Sequence, residues 1–162
     1  MSRELSVVSC QLSATHSLPA IVGGSEKPND DVGTPRRRQF PGVQDFQKIL
    51  AWQRAHALSL QVDRLARGFP RTGHAELKSQ LGRAAESIAA TIAEGCGSAT
   101  QREFARFLDM SIKSASETQH HLISVRDRGL ASAATCGELI DEVSQIRRMV
   151  FGLRKKVLER LD

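Results

Sequence analysis

The sequence predicts an all-α protein, an antiparallel up-down-up-down four-helix bundle spanning residues 44–162, preceded by a poorly ordered leader over residues 1–43. Three observations predict it. From about residue 44 onward apolar residues recur every three or four positions, the spacing that gathers side chains on one helical face. Glycines and the cap-forming residues Ser, Thr and Asp punctuate those stripes where helices would stop and start. The intervals left between the stripes are short, and short links make consecutive helices antiparallel neighbours.

The leader holds four of the five prolines and four of the twelve glycines and carries no sustained periodicity. Val7–Cys10 looks like a lipoprotein cleavage site, but the apolar run before it is far shorter than a signal peptide needs. Ile21–Gly24 matches the mature start of trypsin-like proteases, yet no triad-bearing β-rich domain follows.

The first helix is expected from a cap at Asp45 to Gly68, where Phe69-Pro70 prevents its continuation. It carries the stripe Ala51, Ala55, Leu58, Val62, Leu65 and a second apolar set, Phe46, Ile49, Leu50, Ala57, Leu60, with Trp52 among them. Two sets on one helix point to burial against another chain, or to a broad intramolecular core. The second helix is expected over 73–94, on Leu77, Leu81, Ala84, Ile88 and Ile92, flanked by Ala85, Ala89, Ala90 and Ala93 that admit a close neighbour. Gly95 and Gly97 then read as the break, by access to the left-handed conformation. Thr100 and Glu103 fit a capping box that opens the third helix, 101–128, on Phe104, Phe107, Leu108, Ser111, Ile112, Ala115, Thr118, Leu122 and Val125, with Gly129 as its stop. Ser132 caps the fourth, whose seam is Leu139, Val143, Ile146, Val150, Leu153 and Val157 with Ile140, Met149 and Leu161 beside it.

Gln80, Arg83, Ala84, Ala85, Ser87 and Ile88, then Ile92 to Gly95 and Gly97, then Phe104, Arg106, Phe107 and Leu108, resemble the signature of a bacterial four-helix-bundle family. That family includes proteins encoded in 23S rRNA intervening sequences and the accessory variability determinant of diversity-generating retroelements. Trp52, Ala55, His56, Leu58 and Phe69-Pro70 extend the likeness upstream; Thr91 departs from it, where the family usually has Asn. The resemblance implies a homo-oligomer, a ring of five, whose positive surface serves nucleic acid or a nucleic-acid enzyme such as a reverse transcriptase. It equally admits a structural or protein-interaction oligomer that binds no RNA or DNA.

Lys and Arg number 23 against 18 Asp and Glu, a formal charge of +5, which permits an acidic partner without requiring one. The three cysteines form no C-x-x-C pair and are odd in number, against a disulfide framework or zinc site and in favour of a reducing cytoplasm. No apolar run approaches the length of a membrane span. Glu117 and His120 form one Glu-x-x-His pair where a di-iron bundle needs two, so no metal is expected. No triad, phosphate loop or dinucleotide fingerprint is present, and Cys96 sits at a helix carboxyl end, where the dipole disfavours a thiolate. The chain therefore reads as neither an enzyme nor a cofactor protein.

Glu94, beside the glycine turn, is expected to pair with Arg83, Arg102 or Arg106. With Trp52, Gly95, Gly97, Phe104 and Phe107, Arg83 and Glu94 are the structural residues of that region. The candidate nucleic-acid contacts are Arg102, Arg106, Arg147, Arg148, Arg154, Lys155, Lys156 and Arg160, most of them at the end of the bundle where the second turn meets the last helix. From residue 41 onward 18 basic residues face 14 acidic ones. The rarity of exposed-looking aromatics argues for phosphate attraction without base stacking. The competing explanation is that the late basic residues of the fourth helix complement its dipole.

Overall fold

The computed structural model describes residues 44–161. The expected leader, its two motif matches and Arg36–Arg38 lie outside them. After a 3₁₀ turn, Phe46–Lys48, four helices follow: α1 Leu50–Arg67, α2 Ala75–Cys96, α3 Gln101–Asp127 and α4 Ala133–Leu158. Each packs against its neighbours in sequence, and α1 closes the square against α4. This is the up-down-up-down order. Leu58, Val62, Leu81, Ile88, Ile92, Leu108, Leu122, Val143, Ile146 and Val150 fill the centre with no exposed surface.

The helix ends correct the sequence reading in three places. Asp45 caps the 3₁₀ turn through Gln47 N, 3.1 Å away, and not α1; Ile49 is extended between them, so α1 starts at Leu50 without a side-chain cap. Gly95 does not break α2. It is helical and buried, and Gly97 ends the helix at φ −85, so neither uses the left-handed conformation. Leu161 falls beyond α4 and is 42% exposed instead of lying beside the seam.

The other ends follow the expected chemistry. Thr100 Oγ1 accepts from Glu103 N at 3.1 Å, and Ser132 Oγ from Thr135 N at 3.0 Å. Gly129, at φ +66, closes α3: its N–H donates to Arg126 O and the Leu130 N–H to Val125 O, the paired bonds of a Schellman motif.

The second apolar set of α1 divides. Phe46 and Ile49 pack on the core, and Phe46 meets Trp52 edge-on with ring centroids 4.9 Å apart. Leu50 and Leu60 stay 59% and 48% exposed. Trp52 also stacks on His56, at 5.2 Å and 6° between planes.

Candidate nucleic-acid interface

Two side-chain contacts mark the register of α3 against α4. Arg147 Nη1 donates to Ser116 Oγ at 3.4 Å, and Arg154 Nε lies 2.6 Å from Asp109 Oδ1. Both pairs have the same antiparallel register, which places Ile112 level with Phe151, Arg106 with Val157 and Arg102 with Leu161.

Helical geometry then sorts the candidate cations by face. At about 100° per residue, Arg102, Arg106, Asp109, Lys113 and Ser116 form one stripe along α3, roughly 20 Å long. By the same rule Arg147, Arg148, Arg154 and Lys155 all lie within about 60° of Phe151 on α4. The two stripes adjoin, making one basic strip across the α3/α4 face. Among the described residues the carboxylate within the strip is Asp109, engaged by Arg154, with Glu159 reached by Lys155 at 3.9 Å at the rim. Among the described residues Arg102, Arg106, Lys113, Arg147 and Arg148 have no acidic partner.

Lys156 and Arg160 are exposed but leave this strip. Lys156 stands about 200° round the helix from Arg154, so the consecutive Arg154, Lys155 and Lys156 do not form one patch. Sequence reasoning also missed Lys113 and Phe151. Phe151 is 58% exposed and, with Ile112, Ser116, Arg147 and Arg148, lines an open groove of 370 Å³. It is an exception to the expected rarity of exposed aromatics, and it stands among the cations. The signal was present: Phe151 lies four residues from both Arg147 and Lys155, off the apolar seam.

The residues around the glycine turn serve packing. Phe104 is buried and Phe107 half-buried against Gly95. Glu94 makes no ion pair among the described residues, contrary to expectation; exposed at the end of α2, it keeps its hydration. Cys96 is buried behind it, and burial, aided by Asp45, pushes its thiol above the ordinary range.

On the opposite side of α3, Gln80, Arg83, Ala84, Ser87, Thr91 and Glu94 line a wide α2/α3 groove of 1150 Å³ with Glu86, Glu117 and Met110. Gln80, Arg83, Ala84, Ser87 and Glu94 are half of the α2 residues that carried the family resemblance. Three carboxylates against one guanidinium make this groove unsuited to phosphate. Thr91 donates to Ser87 O at 2.7 Å, so its hydroxyl is spent on its own helix. Glu117 lies 3.6 Å from buried His121, not beside His120, which is exposed. Among the described residues no three His, Cys, Asp or Glu side chains gather as a metal ion would require. None of the helices described is long and apolar enough to cross a membrane.

A protein-family model described as 23S rRNA-intervening sequence protein matches residues 47–152. The crystal structure of a protein of unknown function from the S23 ribosomal protein family of Bacteroides thetaiotaomicron VPI-5482 superposes with a TM-score of 0.62 at 16% identity. The match covers 65% of this chain and 99% of that one. At that identity the likeness speaks to the fold. No curated protein matches the sequence.

Proposed function

Since the chain belongs to the 23S rRNA-intervening sequence protein family, we propose that it is a non-catalytic, homo-oligomeric scaffold that holds RNA or DNA by its phosphates along the α3/α4 face. One observation carries this reading: Arg102, Arg106, Lys113, Arg147 and Arg148 adjoin on that face without acidic partners. A strip of uncompensated charge attracts a polyanion without reading its sequence, and the attraction falls as salt rises. Arg102, Arg106, Lys113, Arg147 and Arg148 lie inside the family-matched segment, whereas Arg154, Lys155, Lys156 and Arg160 lie beyond it.

Self-assembly is supported by Leu50 and Leu60, 59% and 48% exposed on α1, and by Met110, 49% exposed in the small-residue α2/α3 groove. A ring of five would multiply the strip around a common axis and turn weak contacts into avid ones. The reading includes an accessory role in the cytoplasm beside a nucleic-acid enzyme, such as a reverse transcriptase, which the family resemblance alone supports. The second reading, an interaction oligomer that ignores nucleic acid, is favoured by the mixed-charge α2/α3 groove, where many residues of the family resemblance gather.

Two measurements on the full chain test the proposal. Mass in solution at micromolar concentration should show an oligomer, a pentamer if the family resemblance extends that far. Anisotropy titrations with RNA and DNA should show binding that weakens steeply with salt. A monomer would remove the oligomer, and absence of binding at low salt would leave the interaction scaffold.

A further inference from the structure

The groove on the α3/α4 face is more than charge. Phe151 is 58% exposed, off the α4 seam whose residues are buried or half-buried, and its ring is level with Ile112 across the groove. Arg147 and Arg148 precede it by one helical turn and Lys155 follows by one, so cations stand on both sides of an aromatic surface. Arg147 is steadied by Ser116, which orders one wall of the groove. The neighbouring acid, Asp109, is occupied by Arg154.

An exposed ring flanked by cations, Arg147 and Arg148 without an acidic partner among the described residues and Lys155 loosely paired with Glu159, matches what a single strand offers, a base with two free faces between phosphates. A duplex offers phosphates but keeps its bases stacked inside. A second copy docking through the same face would bring Lys113, Arg147 and Arg148 of both chains together, and like charges at contact oppose it.

We infer that Phe151 is a stacking platform for an unpaired base, making the α3/α4 face selective for single-stranded over double-stranded nucleic acid. The inference rests on the polyanion reading above and adds to it the state of the ligand. Arg147 and Arg148 hold the phosphate on one side of the stacked base and Lys155 the phosphate on the other, and Ile112 closes the apolar side of the groove.

The test uses the full chain and three labelled probes: a mixed-sequence single strand of about 20 nucleotides, the same strand with abasic sites throughout its middle, and the corresponding duplex. Phe151→Ala is expected to weaken single-strand binding roughly five- to a hundredfold, as removal of a base–aromatic contact does. Its duplex and abasic-strand affinities, its salt slope, melting temperature and solution mass should stay as in the parent. Phe151→Trp should keep single-strand affinity, since the indole also stacks. Unchanged single-strand affinity in Phe151→Ala overturns the platform, as does an equal loss on all three probes. A drop in solution mass overturns it too, by assigning Phe151 to contact with a second copy. If the parent chain binds none of the probes, the polyanion reading itself falls, an outcome distinct from the loss of stacking alone.

Discussion

A Cβ placed on Gly95 would stand 2.7 Å from Cδ2 of Phe104, closer than real carbon contacts allow, and 2.8 Å from Cβ of Phe107. The last turn of α2 and the first turn of α3 therefore meet through a missing side chain. Phe107 Cβ cannot rotate away, because it is fixed to the α3 backbone. Gly95→Ala gains about 1 kcal/mol of helix propensity. Against this, overpacking a fitted contact costs about 1–3 kcal/mol. A net loss of stability is expected by chemical denaturation, with unchanged m-value. Gly82→Ala is the control: nothing lies within 4 Å of its added methyl, so it should gain stability.

Arg54 reaches from α1 to α4, where the two helices share the fewest contacts of any adjacent pair. Its Nε donates to Glu142 Oε1 at 2.8 Å, and its Nη2 engages the other carboxylate oxygen and also donates to Gln145 Oε1 at 2.7 Å. Both partners are about two-thirds covered, at 33% and 26% side-chain exposure. Glu142→Ala leaves a largely covered guanidinium with only the neutral acceptors Gln145 Oε1 and Met149 Sδ and should destabilise by about 1–2 kcal/mol. Asp63→Ala, which removes the exposed Arg67 partner, should change stability by less than about 0.5 kcal/mol. Equal effects would mean that the α1/α4 seam draws nothing from Arg54.

The bundle was legible in the sequence because its determinants are local: the stripes of α2, α3 and α4, the Thr100 and Ser132 caps and the Gly129 stop are each contained within a turn or two. Gly95 was misread because a glycine near a helix end signals a stop, whereas this one answers to Phe104 on the next helix. The cations were found, but not their grouping. Arg154, Lys155 and Lys156 adjoin in sequence and diverge in space; Lys113 and Arg147 are far apart in sequence and share a face. The helical periodicity puts Phe151 off the seam beside Arg147 and Lys155, but its place opposite Ile112 depends on the register of α4 against α3, which no local pattern carries. His121, rather than His120, is the one that α3 turns inward beside Glu117.

Burial pushes the thiols of both Cys96 and Cys136 above the ordinary range. An acid whose folded pKa is raised contributes stability that is fully present below its unfolded pKa and is lost as pH rises toward the folded one. Stability should therefore hold to about pH 8 and decline through the ordinary thiol range, about 8.5, and above. Denaturation of a Cys10→Ser variant between pH 7 and 10 checks this, and replacing Cys96 and Cys136 by Ala should flatten that limb. In the Cys10→Ser protein neither remaining thiol should react with a disulfide reagent until the bundle unfolds.

The basic residues differ in what their removal should do, because each has a different tie within the fold. Arg154 is 30% exposed and engaged by Asp109, so its charge is partly spent and its loss frees a carboxylate inside the strip. Arg154→Gln should lower polyanion affinity through that freed carboxylate and should also lower the melting temperature. Arg147 and Arg148 have no acidic partner among the described residues. Arg147→Gln with Arg148→Gln should reduce the slope of log affinity against log salt by up to about 1.4 for a single strand and 1.8 for duplex, at 0.7 and 0.9 per phosphate contact. Lys156 and Arg160 lie off the strip, so replacing both by Gln should leave that slope nearly unchanged while costing α4 a few tenths of a kcal/mol of dipole compensation. If instead the slope follows Lys156 and Arg160 and ignores Arg147 and Arg148, the polyanion binds at the end of the bundle, and the α3/α4 face is not where phosphate meets this protein.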